Sequence, residues 1–185
     1  MTASARPLAR RLLPALLLAA TATLAGETDL AGFAAATLQP FKQDLQAALQ
    51  SGMASGGPAG AIDVCRLEAP ALAAAAARPG VRIGRSSHRV RNPDNAPAPW
   101  LEPLLAQYVA GTASAPQLVE LGADYYGYVE PIVTQPLCLA CHGSELAPEV
   151  VGQLAELYPD DRATGFVAGE FRGLFWVAFR AGAAE

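Results

Sequence analysis

Only three cysteines, two histidines, two methionines and a single lysine occur in this chain. Each scarcity excludes something. Three cysteines cannot build the disulfide framework of a small secreted scaffold. A tetrahedral zinc site wants four ligands, usually as two Cys/His pairs, and no second pair is present. Basic residues number 13 against 17 acidic ones, for a formal net charge of −4. That balance argues against nucleic acid and against an anionic membrane surface as partners. Long apolar runs are missing too. Leu12 to Ala20 is too short and too rich in alanine for a convincing membrane span. There is no internal repeat and no interdomain linker. The apolar fraction of 52% is inflated by alanine.

Against this sparse background one segment stands out. Cys138-Leu139-Ala140-Cys141-His142 is the C-x-x-C-H pattern of covalent c-type haem attachment. The chemistry fixes the spacing. Two thiols add to the two vinyl groups on one porphyrin edge, and the next residue turns its imidazole under the iron. Cys138 and Cys141 are therefore the expected thioether formers and His142 the expected proximal ligand. A redox C-x-x-C is the competing reading, but nothing places it after a strand in a βαβ unit.

The first 25 residues point the same way. Arg6, Arg10 and Arg11 precede the apolar stretch, and Thr23-Leu24-Ala25 is an acceptable small-residue cleavage site. We expect residues 1–25 to be a signal peptide cleaved near Ala25, with residues 26–185 forming one periplasmic haem-binding domain. A retained N-terminal anchor is the alternative. Removing the leader takes away three arginines and no acid, leaving a net charge of about −7. About 160 residues remain, enough for one domain with a real core.

A haem iron has a sixth position, and four side chains are candidates for it: Cys65, His88, Met53 and, less plausibly, Lys42. An open or water-bound site is the remaining choice. Each candidate has a plainer reading. Cys65 fits a small inert core residue. His88 fits an exposed strand position. Met53 lies in a Gly/Ser-rich, loop-like stretch. Lys42 fits a solvated helix face. The residues alone leave the choice open.

Several ordered segments extend the picture. They are Ala61-Ile62-Asp63-Val64-Cys65 with Ala69-Pro70, then Arg89 to Pro97 (RVRNPDNAP) with Trp100 and Glu102 following. Tyr126 to Pro131, the haem motif with Gly143, Tyr158 to Phe166 and Gly169 to Gly173 complete the set. Together they resemble a family of exported single-haem c-type domains with a PAS-like fold, catalogued as a domain of unknown function. The resemblance covers most of residues 30–180. It implies one covalent haem c on Cys138, Cys141 and His142, and it implies Cys65 as the distal ligand.

The remaining pattern reads as α+β: a PAS-like antiparallel sheet with flanking helices and a long N-terminal helix. Leu30, Phe33, Ala34, Leu38, Phe41, Leu45 and Leu49 form a helical stripe over 28–50, with a bend expected at Pro40. The stripe suits core best, but also a homodimer face. Residues 59–77 read as a second helix carrying Cys65. Strands are expected over 81–90 and 124–133, and helices over 98–111 and 148–158. Residues 164–168 and 171–180 read as an antiparallel pair turning near Gly169. Five arginines between Arg78 and Arg91 make the one basic cluster. Arg91 is expected beside a haem propionate, with Asn95 bonding backbone or haem. Arg78 to Arg89 read mostly as a solvated face.

Two functions follow. A thiolate from Cys65 favours ferric over ferrous iron and makes a ligand switch possible, so a redox or diatomic-gas sensor is the first reading. A simple low-potential electron carrier is the second, and its redox or signalling partner is not named by the sequence. An enzyme is not expected, because a filled sixth position leaves no open site.

Overall fold

The computed structural model describes residues 19–184; the expected leader falls largely on residues 1–18, outside the described residues. The first element is a helical run, α1 (Ala19–Ala76), whose only non-helical residue is Gly57. Gly57 has φ 61° and ψ −163°, a region open essentially to glycine alone. Pro58 then starts the second arm with its φ already helical. At this elbow the chain folds back on itself. A Cβ at Gly52 would sit 2.9 Å from the Ala61 Cα, so the arms touch where neither carries bulk.

The backbone stays helical through Pro40. The one break in helical backbone is at Gly57, where the residue's geometry forces it. Met53 is corrected. It lies on the helical first arm, half-buried, not in a loop. Ser55 Oγ there bonds back to the Ser51 carbonyl at 2.9 Å, so its hydroxyl is satisfied within the helix rather than in a turn.

Four antiparallel strands follow: β1 (Val81–Ser86), β2 (Gln117–Gly122), β3 (Tyr125–Val133) and β4 (Phe171–Arg180). Their spatial order is β1-β4-β3-β2. Alternation along the strands sends two apolar sets to opposite faces. Val81, Ile83, Tyr128, Val177 and Phe179 meet Ala34, Leu38 and Phe41 of the first arm. Leu72, Ala73 and Ala76 of the second arm pack on the same cluster. The stripe over 28–50 is therefore spent on the core. Burying a side chain such as Phe41 or Phe179 contributes about 1.5–3 kcal/mol.

The opposite face carries Val129, Leu174 and Trp176. They pack on Leu104, Leu105 and Tyr108 of α2 (Glu102–Val109). A third cluster joins Ile62 of the second arm to Val150 and Leu154 of α4 (Pro148–Leu157). The short α3 (Leu139–His142) lies between β3 and α4. The architecture is α+β, an antiparallel sheet with flanking helices and a long N-terminal helix, as expected.

Two strand expectations need correction. β1 stops at Ser86, four residues early, because Ser87 leaves the ladder to donate its Oγ to the Arg172 carbonyl at 2.7 Å. Residues 164–168 form no strand. The hairpin is instead β2–β3, turning through Asp124 at φ 56°. Its first strand, QLVELG, was not anticipated.

Gly57 yields a prediction. Nothing lies within 4 Å of an added Cβ there, so Gly57→Ala costs only backbone strain. We expect a loss of about 1–3 kcal/mol in urea unfolding. An unchanged midpoint would mean the elbow tolerates another conformation.

Candidate haem site

The site is built where β3 runs out of partners. Past Val133 a 3-10 turn, Pro136–Cys138, delivers the chain into α3. The Gln135 N–H donates to Cys138 Sγ at 3.4 Å. Cys141 Sγ donates to the Pro58 carbonyl at 3.6 Å, which ties the motif to the elbow of α1. Both bonds are long and weak, and neither cysteine is paired in a disulfide. The two cysteines stand three apart, so they share one side of the helical turn.

His142 is held more firmly. Its Nδ1–H donates to the Ala163 carbonyl at 2.6 Å. That bond fixes the tautomer and leaves Nε2 with a free lone pair, the arrangement of a metal-ligating histidine. Burial, and then the charges of Arg172 and Arg91, push its pKa down to about 3. The ring therefore stays neutral at neutral pH.

Residues 164–168, read as a strand of a hairpin, instead belong to a segment, 161–170, that grips this motif. Phe166 N–H donates to the His142 carbonyl at 2.9 Å, and Gly165 N–H to Gly143 at 2.9 Å. Thr134 and the 169–170 turn exchange two further backbone bonds. Phe166 is 1% exposed. Its ring lies 6.3 Å from that of His142, edge-on at 88°. The Arg89 and Arg172 guanidiniums sit 3.4 and 4.7 Å from its centroid.

Arg91, expected beside a propionate, is committed largely to protein. Its Nε donates to Asp161 Oδ2 at 3.0 Å, and its Nη2 to the Cys141 and Ala163 carbonyls at 2.6 and 3.3 Å. Asp161 in turn accepts from Ala163 N–H at 2.7 Å. The pair thus fixes the carbonyl that fixes His142. Its side chains are 12% and 8% exposed. We expect Arg91→Met to cost about 3–5 kcal/mol in denaturant unfolding, because Asp161 stays buried without its partner. A loss under about 1 kcal/mol would show that Asp161 is rehydrated. Asn95 contributes its carbonyl, which accepts from Ser86 Oγ at 2.9 Å.

Cys65 rides on the second arm. It opens to solvent at its surface, yet the protein around it crowds the thiol enough to push its pKa up. The charges of Arg85 and Arg91 oppose that rise. Cys141 is also pushed up by burial, and it feels both Cys65 and Cys138. The Cys141–Pro58 bond ties the motif to the arm that carries Cys65, 73 residues earlier in the chain than Cys138. Two of the other candidates have partners of their own. Lys42, read as a solvated helix residue, is only partly so: its Nζ pairs with Glu130 Oε2 at 2.5 Å. His88 is exposed as expected and stacks on Phe171 at 5.7 Å.

A cavity of about 810 Å³ lies beside the motif, lined by Gly143, Leu146, Leu154, Tyr158 and Asp161 among others. It contains neither thiol nor His142, so donor chemistry, not cavity size, locates the site. Among the described residues no group of three or more His, Cys, Asp or Glu could hold a bare metal ion. The free Nε2 of His142 and the unoxidised thiols fit a porphyrin better than a tetrahedral ion.

Residues 22–180 match the Tll0287-like family model. The chain belongs to the Tll0287-like family. One solved structure, that of the cyanobacterial heme-protein Tll0287, aligns with a TM-score of 0.58 at 24% identity. The alignment covers 79% of this chain and 91% of that one. At that identity the likeness speaks for the fold alone. Comparison with curated proteins gave no match. Within this Tll0287-like chain, sequence reasoning missed Ala163, Phe166 and Asp161 as supports of His142. Their signal was the dense YPDDRATGF block, whose contacts only the fold reveals.

Proposed function

We propose that this chain is an exported monohaem c-type cytochrome of the periplasm that senses redox state or a diatomic gas. Cys138 and Cys141 are the thioether residues, His142 the proximal ligand and Cys65 the distal one. One observation carries the reading: the Nδ1 bond from His142 to Ala163 leaves Nε2, beside the two thiols of the motif, free. The solved relative is itself a heme-protein, which supports the same cofactor.

A haem held there supplies a one-electron couple and an axial position. The chain's own residues do the rest. The Ala163 carbonyl orients the His142 ring and raises its basicity. Cys65 sits on an arm joined to the first by one glycine elbow, and its release from iron on reduction would be the two-state step. With Cys65 filling the sixth position, no catalytic turnover is proposed. Among the described residues no helix is long and apolar enough to cross a membrane.

A plain electron carrier is the second reading. One contact favours it: the ring of Phe166 edges both His142 at 6.3 Å and the exposed His88 at 6.0 Å. Voltammetry with and without carbon monoxide separates the two. The sensor reading expects Cys65 to yield on reduction and the gas to bind. Intact Cys65 ligation in both states, one fast couple and no gas adduct would make it a carrier. The mass of the N-terminus from the exported protein tests cleavage near Ala25.

A further inference from the structure

Arg172 stands second in β4 and has no cross-strand neighbour. On β3, Ile132 faces Gly173 and Val133 faces Phe171, so Arg172 is the extra residue of a β-bulge. On the other side the β1 ladder ends at Ser86, opposite Leu174. A bulge breaks the alternation of a strand and re-aims the side chain it carries. Here the guanidinium is brought over Phe166, 4.7 Å from the ring centroid. The same ring edges His142. One side chain therefore separates Arg172 from the expected proximal ligand.

Its charge is not spent within the protein. Glu170 takes Arg89 and Asp161 takes Arg91, and among the described residues no acid lies within ion-pair distance of Arg172. Nη1 donates to two neutral oxygens, Ser87 Oγ at 2.9 Å and the Arg89 carbonyl at 3.4 Å. Nε and Nη2 have no partner among the described residues, and neither is sealed from solvent. Those two N–H groups make one edge of the fork, which matches a carboxylate bidentately. Arg91 spends that same edge on Asp161 and two carbonyls. Other polar groups in this corner are also unused. Arg89 Nε and Thr134 Oγ1 are buried without partners; the Arg89 carbonyl holds Arg172, and Thr134 follows Val133 of the bulge. Burial, and then the charges of Arg91 and Arg85, push the Arg172 pKa down to about 10, so it stays charged at neutral pH.

We propose that Arg172 binds a haem propionate through Nε and Nη2. The proposal rests on covalent haem at Cys138 and Cys141 and is independent of the sixth ligand. A propionate hangs from the porphyrin edge, several bonds from the iron. Its partner belongs beyond the axial ring rather than against it, which is where Arg172 stands. Paired with this cation, the propionate stays ionised in both oxidation states. Unpaired, its negative charge favours ferric iron, and reduction raises its affinity for a proton.

The test uses the haem-loaded protein as wild type, Arg172→Gln and Arg172→Lys. The midpoint potential across pH and the propionate bending bands in resonance Raman are read together, with thermal melting as the check on folding. Arg172→Gln is expected to lower the potential, on the order of tenfold in the reduction equilibrium, and to shift the propionate bands. It should also add a pH dependence on the acid side, because the propionate takes up a proton on reduction and the potential then falls as pH rises. Arg172→Lys keeps the charge but not the fork. Its potential should return toward wild type while the bands stay shifted, and this variant carries the test if Arg172→Gln does not fold. A lowered melting point in both variants, with potential, pH slope and bands unmoved, overturns the proposal and leaves Arg172 a strap between β4 and residues 87–89. So does a wild-type potential that tracks chloride at constant ionic strength, with bands unmoved in Arg172→Gln, which would put a solvent anion on the fork. A wild-type chain without covalent haem overturns the haem reading and this proposal together.

Discussion

A chain in which Cys138 and Cys141 are both serine is expected to lose all covalently attached haem. Thioether bonds need sulfur, and the remaining cysteine, Cys65, lies on a different element from the motif. The readout is haem that survives a denaturing gel, or the mass of the intact chain. Folding should change little. Both thiols make only long contacts, at 3.4 and 3.6 Å, so each replacement should cost under about 1.5 kcal/mol. Loss of haem with the fold retained separates chemistry from collapse. Haem still attached to the double variant would end the c-type reading outright.

Replacing Cys65 by alanine is expected to move the ferric haem from a low-spin thiolate signal to a mainly high-spin one. The sixth position loses its donor. The neighbouring charges, Arg85 and Arg91, supply no lone pair. The potential should rise, since axial ligation spans about 0.8 V and thiolate lies at its low end. Low-temperature EPR beside the wild type decides the matter. An unchanged signal would return Cys65 to the ranks of structural thiols. The search would then move to Met53, half-buried on the first arm, and the electron carrier would become the better account.

Local features read well in the sequence where one pattern decided the outcome. The stripe from Leu30 to Leu45 packs on the sheet as its spacing demands. The CLACH turn and the strand delivering it lie where they were expected. The misreadings share a cause. Gly52 and Ser55 look like loop residues. Glycine's missing side chain serves packing at Ala61, and serine's hydroxyl returns to the helix backbone. Thr164 to Ala168 has strand-like composition, but its backbone bonds go to His142 and Gly143 rather than to a ladder. Arg91 and Lys42 were judged by residue type. Asp161 and Glu130, their partners, stand 70 and 88 positions away. Such pairings are set by tertiary register, to which local periodicity is blind.

The strand that closes the sheet is the last to arrive. β4 lies between β1 and β3 and pairs with both along nearly its whole length. Until residue 171 is in place, β1 has no neighbour, and the β2–β3 hairpin has an open edge. The emerging polypeptide must therefore carry CLACH for some thirty residues as an accessible, unlocked segment before the sheet can shut. On the c-type reading proposed above, that interval is when haem would reach Cys138 and Cys141. Completion of β4 then acts as a latch, fixing the neighbouring segment that grips His142.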